Sequence, residues 1–191
     1  MIEDDEHLTE LINALTQAKK RRILVQIGRQ DLDGEDFLFH GFILDFSREH
    51  VLIQLISDRF DLDGYEVLRT ENITLLDSEF EHRRFLERAL GIRGMRPIPL
   101  EGIDLKDTRS MFRSVEKQFP LLVIHREWDS DGECEVGRIK MAADEFYTLK
   151  ALSPTAEWVD DDKVYRYSDV TRVCFGGDYE TTLARVAGIE V

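Results

Sequence analysis

Apolar residues recur at Leu8, Leu11, Ile12, Leu15 and Ala18, a spacing that lays one stripe along a helix. Acids Glu3 to Glu6 precede this stripe and Lys19-Lys20-Arg21-Arg22 close it, which complements a helix dipole at both ends. The period then changes. Short runs rich in β-branched and aromatic residues follow at Ile23–Ile27, Phe37–Phe46, Val51–Ile56, Tyr65–Arg69 and Ile73–Leu76. They are separated by polar turns at Asp31–Asp36, Ser47–His50, Asp58–Gly64 and Thr70–Asn72, so five short strands are predicted. Helical spacing returns at Phe80, Phe85, Leu86, Ala89 and Leu90. Ser78 and Glu81 offer a capping box at its start, and Gly91 is expected to stop it.

The rest of the chain repeats this plan. Asp107 is placed to cap a helix carrying Met111, Phe112, Val115 and Phe119, which Pro120 ends. Strands are predicted at Leu121–His125, Glu133–Met141, Phe146–Leu152, Val164–Tyr167 and Val170–Phe175. Gly176-Gly177-Asp178 then opens a last helix with Tyr179, Leu183, Val186 and Ala187. The correspondence extends to individual residues. Asp31-Leu32-Asp33-Gly34 before Gly41 returns as Asp129-Ser130-Asp131-Gly132 before Gly137, and Val67-Leu68-Arg69-Thr70-Glu71-Asn72-Ile73-Thr74 returns as Val164-Tyr165-Arg166-Tyr167-Ser168-Asp169-Val170-Thr171. The chain is therefore read as an internal duplication. Residues 1–91 form repeat 1, 92–103 a Pro-containing linker (Arg96-Pro97-Ile98-Pro99), and 104–191 repeat 2. Five short strands in each repeat predict a small closed or nearly closed β-barrel, so the expected fold is mainly β with flanking helices, an α+β arrangement of two tandem barrels.

Charge qualifies this picture. The net charge is −14, and it is uneven. Residues 23–78 hold 12 acids against 4 bases and residues 121–175 hold 12 against 7, whereas residues 79–120 hold 7 acids against 9 bases. Acidic repeats repel phosphate backbones, so RNA is disfavoured as a partner. No apolar run approaches the roughly 20 residues of a membrane span, and the acidic start is the wrong sign for a secretory leader. With only two cysteines, Cys134 and Cys174, a disulfide scaffold is not expected, and a cytoplasmic protein is.

The pattern Gly41-x-Ile43-x-Asp45, repeated more fully as Gly137-x-Ile139-x-Met141-x-x-Asp144, resembles the first motif of the Sm-like (LSm) group of small SH3-like barrels. Leu68-Arg69-Thr70-Glu71-Asn72-Ile73 is similar to that group's second motif, apolar-Arg-Gly-x-Asn-apolar, with Thr70 in place of the glycine. Tyr165-Arg166-Tyr167-Ser168-Asp169-Val170 departs further and also lacks the asparagine. The resemblance covers about 55 residues in each repeat and implies an SH3-like barrel. Because Sm-like proteins generally bind RNA through these loops, it also implies Arg69, Asn72 and Arg166 as RNA-facing residues. Tandem Tudor-type modules fit the same strand pattern.

The residues themselves point elsewhere. Alternate carboxylates at Glu127, Asp129, Asp131, Glu133 and Glu135 could chelate a hard cation, but the twelfth position from Glu127 is Arg138 rather than a bidentate acid. Hairpin-turn chemistry explains Asp-x-Asp-Gly better. No nucleophile elbow, Walker loop or dinucleotide fingerprint occurs, so no catalytic residue, metal or cofactor is expected. Trp128 and Trp158, by contrast, lie in or beside acidic loops containing Asp129, Asp131, Asp160, Asp161 and Asp162. Aromatic rings beside carboxylates suit a basic or proline-rich protein segment. The expected function is a non-enzymatic adaptor binding such a partner through these residues, with an Sm-like RNA binder as the alternative. A homo-oligomer is left open.

Overall fold

The computed structural model describes residues 2–30, 36–127, 134–160 and 163–190. In the first half, α1 (Ile2–Arg21) leads into β1 (Leu24–Gln30), β2 (Asp36–Phe46), β3 (His50–Ile56) and β4 (Leu62–Arg69). A 3-10 turn at Thr70–Asn72, β5 (Ile73–Asp77) and α2 (Arg83–Ile92) complete it. In the second half, α3 (Thr108–Val115) precedes β6 (Leu122–His125), β7 (Cys134–Ala142), β8 (Phe146–Leu152) and β9 (Lys163–Arg166). A 3-10 turn at Tyr167–Asp169, β10 (Arg172–Phe175) and α4 (Asp178–Val186) follow. The Asp-x-Asp-Gly turns ending at Gly34 and Gly132 lie outside the described residues.

All ten strands are antiparallel neighbours in one sheet, in the order β5-β1-β2-β3-β4-β10-β6-β7-β8-β9. Each half has the same internal order, with its first strand between its second and fifth. This differs from the expected pair of closed or nearly closed tandem barrels: the sheet is open, and β4 of one half pairs with β10 of the other. The physical reason is the strand edge. Unpaired N–H and C=O groups on β4 find partners on β10 in place of water or a closing strand.

The duplicated glycines have a steric cause. A Cβ on Gly41 would lie 2.4 Å from the Gln54 carbonyl oxygen, and one on Gly137 would lie 2.2 Å from that of Lys150. Only glycine lets the backbones approach so closely. Two residues further on, both halves shift register, between Ile43 and Asp45 and between Ile139 and Met141. Such bulges bend a strand and let a short sheet curl over a core.

In the first half, α1 packs Leu11, Leu15 and Ala18 onto Val25, Ile27, Ile53 and Leu68. The second core is built on Met111, Phe112 and Val115 of α3, with Ile124, Leu149 and Phe175, and it takes in Leu52 and Val67 from the first half. The two halves therefore share a core. The segment between α2 and α3 packs against them: Gln54 Oε1 accepts from Ile98 N at 2.7 Å, and Ile103 and Leu105 are buried.

Helix ends differ in part from expectation. Asp107 caps α3 as predicted, accepting from Ser110 N at 2.7 Å. The Ser78/Glu81 capping box does not form. Instead α2 starts at Arg83, whose guanidinium bonds Ser78 O and Glu79. Gly91 does not end that helix either. It runs to Ile92, and Gly94, at φ +68°, turns the chain away. Among the described residues no helix is long and apolar enough to cross a membrane.

Candidate functional site at the seam between the halves

The seam is a four-residue ladder in which Arg172, Val173, Cys174 and Phe175 of β10 face Leu68, Val67, Glu66 and Tyr65 of β4. Val67 and Val173 are each 1% exposed, and the Tyr65 and Phe175 rings stack at 5.8 Å. Beside this ladder Gly64 adopts φ +66°, and a Cβ there would stand 2.7 Å from Gly177 N. The N-terminus of α4 is sealed from the first half, with Asp63 Oδ1 accepting from Asp178 N at 2.8 Å. Backbone amides after Gly176-Gly177 that could receive an anion are thus already met by a carboxylate.

Arg69 clamps the seam at the end of β4. Its Nε donates to Val170 O at 2.5 Å, and its Nη2 donates to Tyr167 O at 2.7 Å and Ser168 O at 3.1 Å. These carbonyls belong to the 3-10 turn of the other half and the residue that ends it. A planar fork of donors is well suited to gather three converging oxygens. Next to the clamp is an open cleft of about 450 Å³ lined by Glu49, His50, Arg69, Arg109, Asp144 and Tyr167. Its groups are mutually engaged. Arg109 pairs with Asp144 at 2.6 Å and bonds Ala142 O, while His50 contacts Leu105 O at 3.1 Å and Thr108 Oγ1 at 3.3 Å. Burial lowers the His50 pKa, which favours the neutral ring.

Behind the ladder lies a buried charge cluster. Glu66, 1% exposed, has Arg172 Nη1 at 3.6 Å, and neither of its oxygens has a hydrogen-bond partner. Glu127 pairs with Arg29, has Arg172 Nε at 3.3 Å and accepts from Thr171 Oγ1 at 2.5 Å. His125 Nδ1 lies 3.0 Å from Arg172 Nη2, and its Nε2 is 3.7 Å from Cys174 Sγ. Burial raises the Glu66 pKa to about 7, against the pull of Arg172 and Arg29. Burial and the neighbouring guanidiniums push His125 down to about 3, and burial with Glu66 holds the Cys174 thiol well above its ordinary value. The thiol is therefore protonated and the imidazole is a poor base. The pair has the composition of a nucleophile and its base, but both shifts work against transfer of the thiol proton to the imidazole. The cluster's chemistry is that of a joint between halves, its charges paired within the fold.

Trp128, Asp129, Asp131, Asp161 and Asp162 lie outside the described residues. Trp158 is half-buried against Leu121, Leu152 and Leu183, its backbone bridges to Leu152, and Lys150 Nζ sits 4.6 Å from its ring centroid. Asp160 nearby is exposed. Of the RNA-facing trio, Arg69 is engaged at the seam, Asn72 is half-buried at the end of its 3-10 turn, and Arg166 is exposed on the terminal strand β9. Arg29, Glu66 and Arg172 were missed. Their one signal was a charge inside an otherwise apolar strand, as in Tyr65-Glu66-Val67-Leu68.

No protein-family model matches this chain, and no curated protein is detectably similar to it in sequence.

Proposed function

We propose that the chain is a non-enzymatic interaction protein built from two small barrel-like units of SH3-like or Sm-like type, and that it holds a basic segment of a protein partner at the acidic, aromatic surface of the second unit. The observation that carries this reading is Trp158. Its inner edge is fixed against the core while its ring accepts the Lys150 ammonium at 4.6 Å, beside exposed Glu157 and Asp160. An anchored ring that stacks with one cation, flanked by carboxylates, is a platform on which a partner's lysine or arginine can replace the resident side chain. The net charge of −14 attracts such a segment from a distance. The matching strand order of the two halves supports the barrel-like description. The RNA-binding alternative has less support, because Arg69 directs its donors at carbonyls of its own chain.

A titration with a lysine- and arginine-rich peptide, followed by tryptophan fluorescence, tests the reading. Trp158→Ala combined with neutralisation of Asp160, Asp161 and Asp162 is expected to weaken binding roughly tenfold. An acidic peptide of equal length should not bind. Unchanged affinity in the combined variant, with its fold intact by circular dichroism, would place the site elsewhere.

A further inference from the structure

We propose that the first unit carries a docking surface of its own, a cleft between α2 and the turn after β3 that takes an acidic segment of a partner protein, one large apolar side chain of that segment seating against Phe60 and Phe85. The cleft has a volume of about 440 Å³ and is lined by His40, Ile56, Phe60, His82, Phe85 and Leu86. Leu86 is buried, whereas Phe60 is 38% and Phe85 56% exposed, and their rings meet edge to face at 5.2 Å. Adjoining aromatic rings left open in a cleft are the anchors around which protein contacts form.

The duplication shows that folding does not require this surface. Ser57 N donates to Asp61 O at 2.8 Å and Phe60 N to Ser57 O at 2.9 Å, and the second unit repeats the turn, with Ser153 N donating to Glu157 O at 2.8 Å and Ala156 N to Ser153 O at 2.9 Å. The fourth residue is left-handed in both, at φ +61° for Phe60 and +62° for Ala156. That conformation is uncommon for any residue with a Cβ and rarer still for a bulky one. Alanine serves the turn, so the ring at position 60 is apolar surface added to it. His40 differs from its counterpart in the same way. Val136, which precedes Gly137 as His40 precedes Gly41, packs into the core of its unit. His40 instead holds a buried Nε2 with no hydrogen-bond partner. Burial, with the His82 ring nearby, lowers the His40 pKa and favours the neutral ring, which has one nitrogen to donate and one to accept. A polar backbone group of an entering segment satisfies that orphaned nitrogen.

Charge selects the occupant. In a chain of net charge −14, α2 carries Arg83, Arg84 and Arg88 against Glu87. Arg83 is held by Glu79 and Glu87, but Arg84 and Arg88 are exposed and enter no ion pair among the described residues. Phe85, Arg88 and Ile92, spaced three and four apart, share one face of the helix, and Ile92 is 78% exposed. The apolar stripe thus runs from the cleft along about 10 Å of helix, a length that suits a protein segment. The carboxylates near the cleft are Asp58, in its wall, and Glu81, before the helix. The segment therefore enters with its apolar anchor at Phe60, and its acids follow toward Arg84 and Arg88. Fields decay over about 8 Å at physiological ionic strength, so the net charge of the chain repels the segment only weakly, while the two guanidiniums act in contact. This surface is independent of the basic-partner reading: the unit, the rings and the sign of the charge all differ.

Selection of random phage-displayed peptides of about 15 residues, roughly four turns of helix, against the full chain tests this. The expected class carries a leucine, phenylalanine or tryptophan beside clustered aspartates and glutamates. Fluorescence anisotropy of labelled synthetic copies should show affinity falling roughly tenfold in Phe60→Ala and in Phe85→Gln. The first variant installs the residue that the equivalent turn carries at Ala156, and the second changes an exposed helix position, so both should keep the wild-type circular dichroism. Arg84→Glu combined with Arg88→Glu should weaken the same peptides by a similar factor and leave basic peptides at the Trp158 surface unaffected. Selected peptides all indifferent to Phe60→Ala and Phe85→Gln would overturn the proposal. So would peptides that need both rings but carry no excess of acid, or that bind the doubly reversed chain as tightly. A selection that yields only basic peptides, lost on Trp158→Ala, overturns this surface and upholds the other, and acidic peptides alone do the reverse.

Discussion

Replacing Glu66 by glutamine should stabilise the protein at neutral and alkaline pH and flatten its stability between pH 4.5 and 8. Unfolded, this carboxyl ionises near its ordinary value of 4.5, while in the fold burial raises that value to about 7. Below 4.5 it is protonated in both states and costs nothing. As the pH rises through 7 the unfolded chain has already released its proton, and the folded chain must either keep its own or carry a buried carboxylate with no hydrogen-bond partner. The favourable contribution is therefore fully present below 4.5 and lost by about pH 8. A displacement from 4.5 to about 7 is worth about 3 kcal/mol. Glutamine mimics the protonated form at every pH, so the stability difference, variant minus wild type, should grow by about that amount from pH 4.5 to pH 8. In a chain of this size the change is roughly 6–12 °C in melting temperature. Urea unfolding of both proteins across this range measures it, and subtracting the two curves removes carboxylates common to both. Parallel curves would refute the reasoning: they would mean that attraction to Arg172 and Arg29 outweighs burial and that Glu66 ionises in the fold as an ordinary acid.

Three further outcomes are expected. Gly41→Ala and Gly137→Ala should each cost at least about 1–3 kcal/mol by chemical denaturation, because the new methyl collides with a backbone carbonyl at 2.4 or 2.2 Å; tolerance at either site would mean the strand crossing can widen. Asp107→Ala removes the Ser110 N–H cap of α3 and should cost about 1 kcal/mol in the same assay. Phe112→Ala should cost about 3–5 kcal/mol, and because Leu52 and Val67 belong to the same core, both halves should still unfold in one transition by circular dichroism and by tryptophan fluorescence.

Much of the fold was legible because its causes are local. The period change after Ala18 marked where α1 gives way to strands, and ten short runs separated by polar turns lie where the ten strands are found. Boundaries were less legible where caps compete. Ser78 and Glu81 satisfy a capping pattern, but the Ser78 carbonyl and Glu79 carboxylate are taken by the Arg83 guanidinium, and α2 begins later. The seam was not legible at all. Arg69 matched a loop motif, and no local pattern indicates that its partners lie about a hundred residues away at Tyr167, Ser168 and Val170. Nothing in the sequence marked Glu66 and Arg172 as buried, because alternation along one strand does not reveal which face another unit will cover.

What the sequence by itself determined is the repeating unit: a helix, five strands in a fixed succession, and a glycine wherever the crossing strand leaves no room for a Cβ. These follow from periodicity, turn chemistry and steric size, which act over a few residues. The tertiary structure alone decided that the two units share one open sheet. Pairing β4 with β10 is a choice among strand edges far apart in sequence, settled by satisfying backbone hydrogen bonds, joining two apolar cores across Leu52 and Val67, and balancing Glu66 and Glu127 against Arg29 and Arg172 once water is excluded.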